Sequence, residues 1–405
     1  MNDELQDLLE DFSAVGATGE ILSWDQETMM PSNGLGMRKA QLGYLSQAAH
    51  DIVVSDAFED ALSRFEENAG SETDEAIIRE LRHAQRRKKN VPRDLVKKIS
   101  DARAETLEIW RGARENEEYD EFAAALQNMI DLKREEAQHI NPDKDPYEVL
   151  FENFEPHISL STVEDVFDQL TTELPRRLER VKEADVDIPE PFQGSFDEEK
   201  QERLAEAVMR DLGLGEEESR IDLSTHPFTI GTPFETRITT RIDETDLSEV
   251  LTSTIHESGH GLYQIGLPEE HWWNPLGWDR DLTIHESQSR FYENHVGKRK
   301  AFFEYLLPVL RRRFRGSFDD VSSEDAYMAM NQVKEDNYIR TEADQLTYHL
   351  HVALRFELGR DLINGDLKAK DLPEAWNEKM ESYLGLTPPN LEKGCLQDIH
   401  WAQGN

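Results

Sequence analysis

The sequence predicts a mainly α-helical fold with one small β-ribbon, and three observations carry that reading. Apolar residues recur at helical spacing along much of the 405-residue chain. Long charge-rich stretches run between few breakers, which suits amphipathic helices. One region alone, residues 221–242, is dominated by β-branched and aromatic residues.

Along the chain, Leu45, Ala48, Ala49 and Ile52 keep helical spacing. Residues 73–90, 93–116, 120–140, 161–184 and 197–213 intersperse apolar positions among charges, as surface helices do. Residues 221–242 read IDLSTHPFTIGTPFETRITTRI; Gly231-Thr232-Pro233 supplies a turn and residues 237–242 alternate, so a short β-ribbon is expected. Asp246 with Glu249 three residues on resembles a capping box and starts a helix near 246. Leu346, Leu350, Leu354, Leu358 and Leu362 form a helical ladder of fours. Breakers are confined to Pro31–Gly36, Asn141–Pro146, Pro189–Gly194, Pro268–Gly277 and Thr387–Asn390. No repeat or low-complexity linker is evident. Pro189–Gly194 is the best candidate boundary, between halves 1–190 and 191–405 expected to share one core.

Acids dominate the charge: 84 Asp and Glu against 45 Lys and Arg give −39. A phosphate backbone or an anionic membrane surface would be repelled, which argues against nucleic-acid and membrane partners. The acids are spread along the chain. They read either as an ordinary solvated surface or, the favoured reading, as adaptation to molar salt, where screening shortens to about 3 Å at 1 M. Cys395 is the single cysteine, so no intrachain disulfide can form, and a reducing cytoplasm fits. The opening MNDELQDLLEDF lacks the basic and apolar regions of a signal peptide, and no apolar run reaches 18 residues.

The segment His256-Glu257-Ser258-Gly259-His260 fills the pattern H-E-x-x-H. On a helix, His256 and His260 leave one face a turn apart and can share a zinc ion. Glu257 projects about 100° round from His256 and can address a water at the metal without ligating it. Leu247, Leu251, Ile255 and Leu262 fall on one side, with the histidines roughly opposite. A chance match arises about once in twenty chains of this length, so two ordinary helical histidines are the plain alternative. A catalytic zinc takes a third protein ligand. The candidates are Glu286 and its rivals His285 and Glu293, and Glu286 is preferred mostly because of the resemblance described next. Their structural alternatives are a packed histidine and a surface acid.

Together with further ordered segments, these motifs resemble the carboxypeptidase Taq family of metallocarboxypeptidases. Ser23-Trp24-Asp25-Gln26, ending at Pro31, looks like the family's opening element. His226-Pro227-Phe228, Arg237-Ile238-Thr239, the zinc motif and His285-Glu286-Ser287-Gln288 follow in order. Ile339-Arg340-Thr341-Glu342-Ala343-Asp344 and Gly394 to Trp401 (G-x-x-Q-D-x-H-W) complete the set. The resemblance implies a large helical zinc-metallopeptidase fold with a deep groove, the half 1–190 covering it and the half 191–405 binding the metal. It also implies a homodimer, zinc with cobalt as a substitute, and removal of single C-terminal residues from peptides with broad specificity and poor tolerance of proline. Members usually continue well beyond G-x-x-Q-D-x-H-W, whereas this sequence ends at Asn405, like a C-terminally shortened member. A truncated sequence, a completing segment on another chain, or an inactive protein each fit that departure.

Each remaining role has a plainer alternative. Glu257 is the expected general base. A guanidinium fork suits a substrate's terminal carboxylate, which makes Arg340 and Arg237 candidates; either also fits a surface salt bridge. His226 is expected to donate to the oxyanion or shape the rim, or else to bond backbone. His400 is expected to face the substrate's C-terminal residue, or to pack with Trp401. Asp398 suits a carboxylate orienting an imidazole, or a helix cap. An oligopeptidase cutting internal bonds and an inactive metal-binding homologue remain the competing functions.

Overall fold

The computed structural model describes residues 1–184, 186–334 and 336–404. Four helices open the chain: α1 (Asp3–Thr28), α2 (Leu35–Val54), α3 (Asp56–Glu67) and α4 (Glu72–Asn90). Next come α5 (Arg93–Asn116), α6 (Asp120–Ile140), α7 (Pro146–Phe151), α8 (Leu160–Lys182) and α9 (Glu198–Leu212). Three strands follow: β1 (Ser219–Leu223), β2 (Thr229–Gly231) and β3 (Thr236–Thr240). They lead into α10 (Leu247–Ile265), α11 (Leu282–Arg290), α12 (Lys300–Arg313) and α13 (Ser323–Met330). The remainder holds α14 (Tyr348–Asn364), α15 (Leu372–Leu384) and the single turn α16 (His400–Gln403). The charge-rich segments thus form helices within two residues of their expected bounds.

The chain builds two compact units, each from two separated stretches. One combines Met1–Lys88 with Ile188–Met330, the other Lys89–Asp187 with Asn331–Asn405. In the first unit, α1, α3 and α4 enclose Leu5, Leu9, Phe58, Leu62, Ile77 and Leu81. A second cluster in that unit packs α9, α10 and α12 through Leu204, Val208, Leu247, Leu251, Ile255 and Phe303. Burying Leu247, Leu251 and Ile255 contributes roughly 5–9 kcal/mol, enough to hold α10 while its opposite face carries polar groups.

The ribbon is part of a three-stranded sheet ordered β1-β3-β2. β2 and β3 form the expected hairpin, antiparallel and closed by Thr232 N–H donating to Glu235 O at 2.8 Å. β1 adds in parallel on the other edge, pairing Ser219–Leu223 with Thr236–Thr240. Parallel pairing needs a long connection, here residues 224–235, which include β2. Its first part, residues 224–228, is tied back to β3 by Ser224 N–H to Thr240 O (3.0 Å) and Phe228 N–H to Thr239 Oγ1 (2.9 Å).

In the second unit the leucine ladder lies in the core, with Leu350, Leu354, Leu358 and Leu362 all buried beside Trp376 and Phe122. Leu346 precedes the helix. The Asp344 carboxylate accepts from Leu346 N (2.8 Å), Thr347 N (3.0 Å) and Thr347 Oγ1 (2.7 Å), fixing a turn where helix was expected. Among the described residues, no helix is long and apolar enough to cross a membrane.

Candidate metal centre

The site grows from the start of α10. Asp246 accepts from Ser248 N at 2.8 Å and caps the helix. Glu249 does not close the expected box. The Asp246 N–H points to Asp243 O (3.4 Å), and Arg241 draws the Glu249 carboxylate away at 2.7 Å. His256 and His260 leave α10 together, ring centroids 5.0 Å apart.

α11, capped by Asp281 on Ile284 N (2.8 Å), lies against α10 at Gly259. A Cβ at Gly259 would stand 2.7 Å from Ser289 Cα and 2.8 Å from Gln288 O, so only glycine permits this approach. The contact delivers Glu286: Oε1 lies 3.8 Å from His256 Nε2 and Oε2 3.5 Å from His260 Nε2. Ligand atoms of all three residues lie within 4.8 Å of one another. Tetrahedral ligands about 2.1 Å from a zinc ion would stand about 3.4 Å apart. The group therefore fits such an ion, and two imidazoles with one carboxylate form a donor set zinc accepts.

Glu257 is buried beside the group. Thr229 on β2 donates through Oγ1 to Glu257 Oε2 at 2.6 Å and lies 3.1 Å from the Glu257 carbonyl. Burial pushes the Glu257 carboxyl up, against the opposing pull of His256 and Thr229. For Glu286, burial raises the carboxyl, but its bond to His260 and the charge of His256 prevail and hold it below the usual range.

The two rivals have other engagements. His285 stacks on the His260 ring, centroids 4.0 Å apart and 16° from parallel, with Nε2 3.7 Å from Asp279. Burial, then the neighbouring His260, lowers its pKa. Glu293 meets the outer nitrogen of His256, with Oε2 2.9 Å from Nδ1. Burial works against its charge, yet the His256 bond, Lys298 and Arg290 bring its pKa down to about 2.

The other expected site residues are divided between the units. His226 is exposed in the first unit, and no described residue hydrogen-bonds its ring. Arg237 lies on β3, bonded to Glu235 (3.1 Å) and stacked 4.6 Å over the Trp24 ring. No hydrogen bond, ion pair or ring contact among the described residues joins either to the His256–His260–Glu286 group. In the second unit, Arg340 donates to Tyr348 Oη at 3.3 Å, and its backbone N–H donates to Gln397 Oε1 at 3.1 Å. His400 is exposed, with Nδ1 2.9 Å from Asp398 Oδ1 and 3.2 Å from Arg355. Asp398 is buried. Although burial alone would raise it, His400 and the Arg355 guanidinium hold it far below the usual carboxylate range.

Sequence reasoning missed the parts three residues play. Thr229 meets Glu257 only through the sheet, Gly259 matters only where α11 crosses, and Glu293 was weighed only as a ligand. Thr229 and Gly259 already lay inside recognised elements, but pairing distant segments needed the fold.

What the fold assembles here is the metal-binding group of an H-E-x-x-H metallopeptidase. Residues 4–405 match the carboxypeptidase Taq (M32) metallopeptidase family. A thermostable carboxypeptidase 1 of Pyrococcus furiosus is 34% identical over 401 residues, spanning 97% of this chain and 79% of that protein. Its namesake in Thermus thermophilus is likewise 34% identical, over 420 residues, 98% of this chain and 81% of that one. The crystal structure of the M32 carboxypeptidase from Deinococcus radiodurans superposes with a TM-score of 0.94 at 30% identity, covering 99% of this chain and 81% of that one. The chain belongs to the carboxypeptidase Taq family, and it is a metallocarboxypeptidase.

Proposed function

We propose that the protein is a zinc-dependent carboxypeptidase that removes C-terminal residues from peptides with broad side-chain tolerance, cobalt being able to replace zinc. The carrying observation is the geometry of His256, His260 and Glu286, at separations a zinc ion spans. When bound, such an ion supplies Lewis acidity, polarising the scissile carbonyl and lowering the pKa of water to about 7.

The chain's own residues do the rest. Thr229 engages Glu257 Oε2, which presents Oε1 to the attacking water. Glu257 accepts that water's proton and returns it to the leaving amine. Its burial, by raising the carboxyl's pKa, suits a group that holds a proton between the two transfers. Arg340 and Arg237 are assigned to the substrate's terminal carboxylate, since a guanidinium binds it through paired charge-assisted bonds. His226 is assigned to the oxyanion and His400 to the substrate's last residue, the latter oriented by Asp398.

Residues 1–405 act as one catalytic domain, which the family match over residues 4–405 supports. The active form is a homodimer, an inference from the resemblance. The charge of −39 supports a salt-rich cytoplasm as the working solvent. Glu257→Gln is expected to retain metal and lose at least about a thousandfold in turnover, having lost both base and acid. Near-normal turnover of that variant would remove Glu257 from the mechanism. Cleavage of a peptide blocked at its C-terminus would instead favour an oligopeptidase.

A further inference from the structure

The imidazole of His256 is held between two carboxylates. Nε2 faces Glu286 at 3.8 Å, and Nδ1 bonds Glu293 at 2.9 Å. A neutral imidazole that donates from Nδ1 keeps its Nε2 lone pair for a metal. A bond donated from Nδ1 to Glu293 would select that tautomer and hold the plane of the ring.

Glu293 reaches this place because the helix changes pitch. α11 ends at Arg290, and Phe291–Gly297 continues as a π-helical turn in which Lys298 N–H donates to Glu293 O, five residues back, at 3.0 Å. The wider turn presses on α10 at Gly297, where a Cβ would stand 2.8 Å from Ile255 Cδ1, one residue before His256. Such turns are rare in helices and occur frequently at functional sites.

The carboxylate is also buried and charge-compensated. Its side chain is 7% exposed, Lys298 Nζ donates to Oε1 at 2.7 Å, and Arg290 donates to Oε2 at 3.1 Å. This costs two cations and a distorted turn, more than an incidental surface acid requires. His260 has no counterpart: its Nδ1 is buried without a hydrogen-bond partner among the described residues. The two imidazoles are thus held by different means, one by a carboxylate and the other by ring packing against His285.

We propose that Glu293 is a positioning residue for the metal centre, fixing the tautomer and orientation of His256, and that the π turn at 291–297 exists to place it. The inference rests on zinc binding at His256, His260 and Glu286. Zinc affinity is measured by competition with a chromophoric chelator for the wild type, Glu293→Gln, Glu293→Ala and, as a reference, His260→Ala. The visible spectrum of each cobalt-loaded protein is recorded alongside.

The expected order of affinity is wild type, then Glu293→Gln, whose amide oxygen still accepts from Nδ1, then Glu293→Ala, with losses between about 10- and 100-fold. The cobalt bands are expected to shift in both Glu293 variants, a change that loss of packing alone would not produce. Wild-type affinity and spectrum in both Glu293 variants, with metal lost in His260→Ala, would overturn the inference and leave the metal site standing. Undiminished affinity in His260→Ala would remove the site and the inference with it. Should Glu293→Ala fail to fold, the near-isosteric Glu293→Gln decides alone by the same readings.

Discussion

At the scale of single residues, burial separates groups that titrate from groups that are silenced. His351 lies fully buried on α14 and bonds the Asn337 carbonyl through Nε2 at 3.1 Å. Burial drives its pKa from 6.5 to about 4, against the opposing effect of that bond. The sign follows directly: between about 4 and 6.5 the unfolded chain binds a proton that the folded chain refuses. Stability is therefore lost as pH falls through that window, by at most about 3 kcal/mol for this one group. His351→Gln should show a flatter dependence of urea-unfolding free energy on pH than the wild type between those limits; parallel curves would dismiss the effect. Glu257 and both histidines of H-E-x-x-H were legible from spacing, because i and i+4 always share a helical face. Glu286 was singled out mainly through its family element, and Glu293's contact with His256 not at all, because a π turn leaves no periodic trace in the sequence.

At the scale of elements, the centre depends on two helices that touch where a side chain is missing. Gly259→Ala would set a methyl group against the backbone of Ser289 and Gln288. α11 has to retreat, because backbone does not yield as the tip of a flexible side chain would. We expect a loss of about 1–3 kcal/mol in thermal unfolding. Zinc affinity should fall by at least about tenfold, since ligand distances tolerate only about 0.2 Å. Unaltered zinc affinity would show that α11 can give way without carrying Glu286 off. The helices themselves were readable, because amphipathic periodicity and caps are local. The third strand was not: β1 joins β3 through parallel pairing, which depends on contacts distant in sequence and leaves no turn signature.

At the scale of the whole molecule, the surface carries a large excess of negative charge. Arg64–Glu4, Arg203–Glu199, Lys97–Asp101 and similar pairs lie exposed, and each contributes little. They cannot offset 39 excess negative charges. Raising KCl from about 0.1 to about 1 M contracts the screening length from about 10 to about 3 Å. Thermal unfolding should then shift upward by at least several degrees, and a midpoint indifferent to salt would reject the halophilic reading of the composition.

The path of the backbone has its own consequence. The chain passes from one compact unit to the other after Lys88, returns after Asp187 and departs again after Met330. During synthesis, the first unit holds only 88 of its 231 residues until Ile188 emerges and is complete only after Met330, so the second begins before the first is finished. The usual order, in which an N-terminal domain folds before the next emerges, is closed to this protein. Completion of the first unit therefore waits for Met330, while Leu5, Leu9, Phe58, Leu62, Ile77 and Leu81 can already gather within its first stretch.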